Sequence, residues 1–134
     1  MRYQITTLKA LEKKPLALKQ VVKLTYPDGM ARPIITCPPN HCYINLAKER
    51  ETIVGWAMAL PRKHPNPRLP IPEADKDKCL IMVYVNQKYR RKKIATKLVK
   101  QLLSKSTSKN KTIGVYTPRM VKLVSKLKYK VELL

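Results

Sequence analysis

LIMVYVNQKYRRKKIATKLVKQLL, residues 80–103, decides the reading of this chain. It opens on a continuous apolar run, Leu80 to Val85, that is short, partly β-branched and bounded by polar residues. Such a run reads as a buried strand. A polar turn follows, Asn86-Gln87-Lys88-Tyr89. Then Ile94, Ala95, Leu98, Val99, Leu102 and Leu103 recur in pairs at four-residue steps, which is one face of a helix. Between strand and helix stand Arg90-Arg91-Lys92-Lys93. The first N–H groups of a helix have no intrahelical acceptor, and its dipole is positive there. A helix start by itself favours acidic residues, so a basic cluster at that place argues for a bound phosphate.

The same residues carry a family resemblance. V-Y-V-N-Q-K-Y-R-R-K-K-I-A-T-K-L-V resembles the acyl-CoA-binding core of the GNAT N-acetyltransferases. Their signature is Gln or Arg, two residues, Gly, one residue, then Gly or Ala. It maps onto Arg90 to Ala95, with Lys93 at the glycine position and Arg91 where a second glycine is common. The ending L-K-Y-K-V-E-L is similar to the family's L-G-F pattern, with Tyr129 as the aromatic residue.

Outward from this stretch, the chain reads as one domain over residues 1–134, with a Pro-rich loop at 61–78. Tyr3 to Thr7 is a β-prone first strand. Leu8 to Leu24 has helical spacing, and Pro15 inside it either opens a second helix or kinks one. Tyr26-Pro27-Asp28-Gly29 is a turn, and Met30 to Asn40 an irregular segment. Cys42 to Lys48 and Thr52 to Leu60 form a hairpin through Glu49-Arg50-Glu51. Ser104 to Asn110 ends the long helix, Lys111 to Thr117 is a fifth strand, and Pro118 opens the last helix. Lys128 to Leu133 is a closing strand. This order covers nearly the whole chain in the GNAT pattern. The resemblance implies an α/β (α+β) acyl-CoA N-acyltransferase-like fold. Its central sheet would be mixed and mostly antiparallel, with helices on both faces and strands 4 and 5 splayed.

Composition bounds the partners. The chain carries 29 Lys plus Arg against 8 Asp plus Glu, a formal net charge of +21 at pH 7. From Lys88 onward Glu132 is the only acid. A field of that size attracts polyanions, either nucleic acid or an acidic protein, unless the lysines only solvate helix faces. No apolar stretch approaches membrane-spanning length, and no signal-peptide pattern opens the chain. A cytoplasmic protein with reduced thiols at Cys37, Cys42 and Cys79 is expected. Cys37, His41 and Cys42 lack the second ligand pair of a structural zinc site, so no metal is expected.

The resemblance implies acetyl-CoA as cosubstrate, lying between the fourth and fifth strands. Its pantetheine arm would pair with the main chain of Met82, Val83, Tyr84 and Val85. Its pyrophosphate would sit on the N–H groups of Arg91, Lys92, Lys93, Ile94, Ala95 and Thr96, with Arg90, Lys92 and Lys93 adding charge. A main-chain N–H at Val83 is the oxyanion candidate. The family's acid is a Tyr five residues before the L-G-F aromatic, which here falls on Val124. Tyr116 is the preferred substitute, with Ser125 and Tyr84 as further hydroxyls. Glu73 is the candidate base, alongside Asp75, Asp77, His41 and His64. The expected activity is acetyl transfer to an amine, one carried on a nucleic-acid-associated or acidic macromolecule. The competing reading is a non-catalytic scaffold whose basic surface binds nucleic acid or protein. A homodimer is a further expectation from the family.

Overall fold

The computed structural model describes residues 1–25, 43–60, 78–90, 93–107 and 110–133. Strand β1 (Arg2–Thr7) leads into helix α1 (Leu8–Glu12) and helix α2 (Pro15–Thr25). Strands β2 (Tyr43–Glu49), β3 (Thr52–Leu60) and β4 (Lys78–Val85) follow. A 3-10 turn, Gln87–Tyr89, precedes helix α3 (Ile94–Ser106), strand β5 (Thr112–Val115), helix α4 (Pro118–Lys126) and strand β6 (Lys130–Leu133). Pro15 thus opens a second helix, where its fixed φ and missing N–H cost nothing. Thr7 ends β1 and caps α1 at once, its side chain accepting from Ala10 N–H at 3.1 Å. Thr117 likewise caps α4, its side chain accepting from Met120 N–H at 3.3 Å, with Pro118 in the first turn.

Several element ends shift by one residue from the sequence reading, and four boundaries differ for a reason that can be named. Helix α3 runs on to Ser106, whose hydroxyl donates back to Leu102 C=O at 2.7 Å, so Ser104 lies inside the helix. Lys78 belongs to β4 rather than to the Pro-rich loop. The fifth strand stops at Val115, because Thr117 is taken as the cap of α4 and Tyr116 lies between them. The last strand starts at Lys130, since Lys128 and Tyr129 close the preceding helix.

The six strands form one sheet in chain order, β1-β2-β3-β4-β5-β6. The first four are antiparallel neighbours, while β4–β5 and β5–β6 are parallel. Two parallel crossovers that step the same way across a sheet place their helices on one face. Accordingly α3 and α4 share one core, built on Leu98, Leu102, Ile113 and Val124. Helices α1 and α2 cover the other face, over Leu46, Trp56 and Met58. A bulge next to Lys48 inserts Val54 as an extra residue in β3. It lets both Val54 and Gly55 face α3.

Two contacts seat α3 on the sheet. Asn45, fully buried on β2, donates from Nδ2 to Leu98 C=O at 3.1 Å and to Gln101 Oε1 at 3.2 Å. Gly55 leaves room for the helix to come close: a Cβ there would lie 3.1 Å from Tyr84 O and 3.4 Å from Leu98 Cδ1. Gly55→Ala is therefore expected to destabilise the protein by about 1–3 kcal/mol, the usual cost of overpacking. A chemical denaturation curve checks this, and an unchanged midpoint would mean that β4 and α3 have slack.

The end of α4 explains the lysine at the L-G-F glycine position. Tyr129 N–H reaches Val124 C=O at 3.5 Å and Lys128 N–H reaches Ser125 C=O at 2.9 Å, with Lys128 at φ 67°. That is a Schellman cap, whose left-handed residue is normally glycine. A lysine there pays a Cβ clash of about 1–2 kcal/mol. Part of that is offset because glycine is more costly to order. Lys128→Gly is expected to raise stability by about 1 kcal/mol, and a melting curve should move up by about 3–5 °C.

Candidate active site

The parting of β4 from β5 makes the site. The two strands pair at Lys78–Thr112, Cys79–Ile113 and Leu80–Gly114, and nowhere beyond. From Ile81 onward β4 keeps only its β3 partner. Asn86 N–H donates to Val54 C=O at 2.8 Å. Antiparallel alternation from that bond directs the main-chain groups of Tyr84 and Met82 into β3 and those of Val83 and Val85 away from it. The N–H and C=O of Val83 and Val85 therefore face the opening. Such an edge can pair with an extended ligand carrying amides.

At the end of this edge lies the start of α3. Its first backbone bond of α-helical type runs from Lys97 N–H to Lys93 C=O at 3.1 Å. The N–H groups of Ile94, Ala95 and Thr96 thus have no intrahelical acceptor. Lys93 caps the helix at φ 61° without a side-chain bond, and its side chain is exposed. The left-handed turn that glycine normally supplies is therefore present, at the price of a Cβ in the wrong region. Ile94 is buried under the sheet, Ala95 half-buried, and Thr96 exposed. No acidic residue occupies the first turn. The arrangement suits an anion.

Arg90 behaves differently from the expectation that it serves the phosphate alone. Its Nε donates to Val85 C=O at 2.9 Å, and its guanidinium stands 5.4 Å from the Tyr84 ring centre. The arginine fastens the turn to the open edge of β4, leaving its terminal nitrogens to present charge. Sequence reasoning missed this brace, although an Arg five residues past a strand end was its only signal. Tyr89 adds a second brace: its hydroxyl bonds Glu49 at the end of β2, and that bond, then burial, raises the phenol's pKa.

The candidate catalytic groups are unevenly placed. Tyr116 follows the last residue of β5 and is 49% exposed. Val124, where the family has its acid, is fully buried in the α4 core. Ser125 beside it is exposed, and its C=O accepts from Lys128. Tyr84 is half-buried, packed toward the α1–α2 face and under Arg90. Cys79 is buried, and desolvation pushes its thiol up to about 11 despite Lys111, so it is a neutral thiol at pH 7 rather than a nucleophile. Glu73, Asp75, Asp77, Arg91, Lys92, Cys37, His41, Cys42 and His64 lie outside the described residues, as do the Tyr26–Gly29 turn and most of the Pro-rich loop.

Residues 9–120 match the Acetyltransferase (GNAT) family. The chain belongs to that family. As a GNAT protein it is an acyltransferase with acetyl-CoA as cosubstrate, and the open strand edge and the bare helix start fit that ligand's amide arm and phosphates. Solved structures share the fold. A protein from Streptococcus mutans UA159 is 22% identical at TM-score 0.55, with 78% of this chain aligned and only 65% of that one. An aminoglycoside N-acetyltransferase in complex with CoA is 15% identical at TM-score 0.56, covering 96% of this chain and 91% of that one. A ribosomal-protein-alanine N-acetyltransferase from Brucella melitensis biovar Abortus 2308 is 17% identical at TM-score 0.57, covering 95% and 88%. No curated protein matches the chain. Among the described residues no helix is long and apolar enough to cross a membrane.

Proposed function

We propose that this GNAT protein transfers the acetyl group of acetyl-CoA to an amine carried on, or close to, a nucleic-acid-associated macromolecule. The observation that supports it most is the unpaired β4 edge leading straight into a helix start without acids. The amine nitrogen attacks the thioester carbonyl. The N–H of Val83 faces the opening and donates to the oxyanion. As the C–S bond breaks, the CoA thiolate takes a proton, for which Tyr116 is the proposed donor and Ser125 the alternative. Glu73 is the proposed base, which takes the proton that the amine nitrogen loses as the amide forms, while holding the neutral amine at the carbonyl supplies much of the rate. The nucleic-acid association is supported by the net charge of +21. Acyl acceptors of the similar structures are an aminoglycoside in one case and a ribosomal protein in another, by their names.

Calorimetric titration with acetyl-CoA tests the reading. Binding at tens of micromolar or tighter is expected, and its absence would remove the transferase. Binding without acetyl transfer to any amine would leave the non-catalytic scaffold in its place.

A further inference from the structure

Helices α3 and α4 lie on the same side of the sheet, and the charge they turn outward is of one sign. Lys97, Lys100 and Lys105 on α3 and Arg119, Lys122 and Lys126 on α4 are all exposed. Neither helix contains an acidic residue. Among the described residues the ion pair present is Arg2 with Glu51, away from both helices. Lys97 stands 4.8 Å from the Tyr3 ring centre, and Lys105 and Lys126 lie in the last turns of their helices, but no carboxylate among the described residues neutralises any of the six. Their self-repulsion costs stability, so a partner that neutralises them would recover it.

The chemistry of that partner can be narrowed. Protein interfaces rest on buried aromatic or aliphatic anchors. Among the described residues the exposed large apolar ones are Met1, Leu16, Tyr43, Tyr116 and Leu133, none of them on α3 or α4. The apolar residues of α4, Met120, Val121, Leu123 and Val124, are turned against the core. A membrane surface would also need apolar side chains to insert. Single-stranded nucleic acid would need aromatic platforms for its bases. A double helix needs only cations spaced along its phosphates. The basic residues of α3 recur over about 12 Å of helix, at 1.5 Å per residue, and α4 supplies a second row.

We propose that the outward faces of α3 and α4 form one docking surface for the phosphate backbone of a double-helical nucleic acid, read without sequence preference. This deepens the acceptor reading above and rests on it for its purpose: the duplex would hold the amine-bearing macromolecule near the opening of β4.

Fluorescence anisotropy of a short labelled duplex RNA, and of the same sequence as DNA, tests it. The quadruple variant Lys100→Gln, Lys105→Gln, Lys122→Gln, Lys126→Gln is set against a control on the opposite face, Lys9→Gln, Lys13→Gln, Lys19→Gln, Lys23→Gln. The α3–α4 variant should bind at least tenfold more weakly, with a slope of log affinity against log salt shallower by about 3. The control should lose less than threefold. Equal losses in the two variants would overturn the proposal, since the attraction would then be diffuse. So would tighter binding of the single strand, or displacement of the duplex by poly-glutamate at matched charge, which would make the partner an acidic protein. Acetyl-CoA titrated into the same samples reads the transferase separately. Its affinity should be equal in all three proteins, and a loss confined to the α3–α4 variant would assign those lysines to the cofactor instead.

Discussion

Thr96→Glu is expected to weaken acetyl-CoA binding by about 30- to 150-fold while leaving the fold as stable as before, or slightly more so. Thr96 is exposed in the first turn of α3, so a larger side chain meets no packing obstacle. A carboxylate near a helix N-terminus interacts favourably with the dipole, by about 0.3–1 kcal/mol. The same carboxylate would stand beside the pyrophosphate. At a separation of about 6–8 Å and an effective dielectric near 20, repulsion from the nearer phosphate charge costs about 2–3 kcal/mol, the farther charge being screened by solvent. That cost corresponds to the stated loss in affinity. Calorimetry measures the affinity and thermal melting the stability. Opposite movement of the two quantities separates a lost ligand site from a damaged helix. If the affinity is unchanged, the phosphates do not lie at the start of α3.

Tyr116→Phe should lower kcat by about 100-fold or more, the range of general acid catalysis, with acetyl-CoA affinity intact. The case rests on elimination and position together. Helix α4 offers Val124 at the family's acid position, and that side chain is sealed in the core. Tyr116 stands at the point where β5 ends, next to the opening of β4, and it is 49% exposed. Phenylalanine keeps the ring and removes only the ionisable hydroxyl. Ser125→Ala is the companion variant: were Ser125 the donor, the loss of turnover would appear there and Tyr116→Phe would be silent. Both variants leave the β4 edge and the α3 start untouched, so a change in acetyl-CoA affinity would count against either assignment.

Much of the fold was legible because the elements here are local and strongly patterned. The run from Leu80 to Val85 and the paired apolar steps from Ile94 to Leu103 are periodicities that survive any tertiary context. Pro118 after Thr117 carried the start of α4 in the same way. The errors fell where two elements compete for one residue. Thr117 is β-prone but is needed as a helix cap, so β5 ends two residues early. Lys128 and Tyr129 continue a β-prone tail, yet the Schellman hydrogen bonds hold them to α4. In the site, the basic turn was legible from charge alone, whereas the brace from Arg90 to Val85 was not. It depends on which carbonyls the strand leaves free, and that follows from the pairing partner.

The amino-acid order by itself determined the sequence of strands and helices, the anion-seeking turn at residues 90–93 and the excess of positive charge. It left open whether lysines standing at glycine positions would wreck the two turns they occupy. Only the assembled sheet answered that. Packing of α3 on Asn45 and Gly55, and closure of the α4 end by its carbonyls, over-determine the backbone at Lys93 and Lys128. The left-handed conformation persists there because many contacts outweigh one misplaced Cβ. The extent of the parting of β4 from β5 was likewise a tertiary decision: three residues of β5 pair with β4 before the chain turns into α4, and beyond that point the edge stays open.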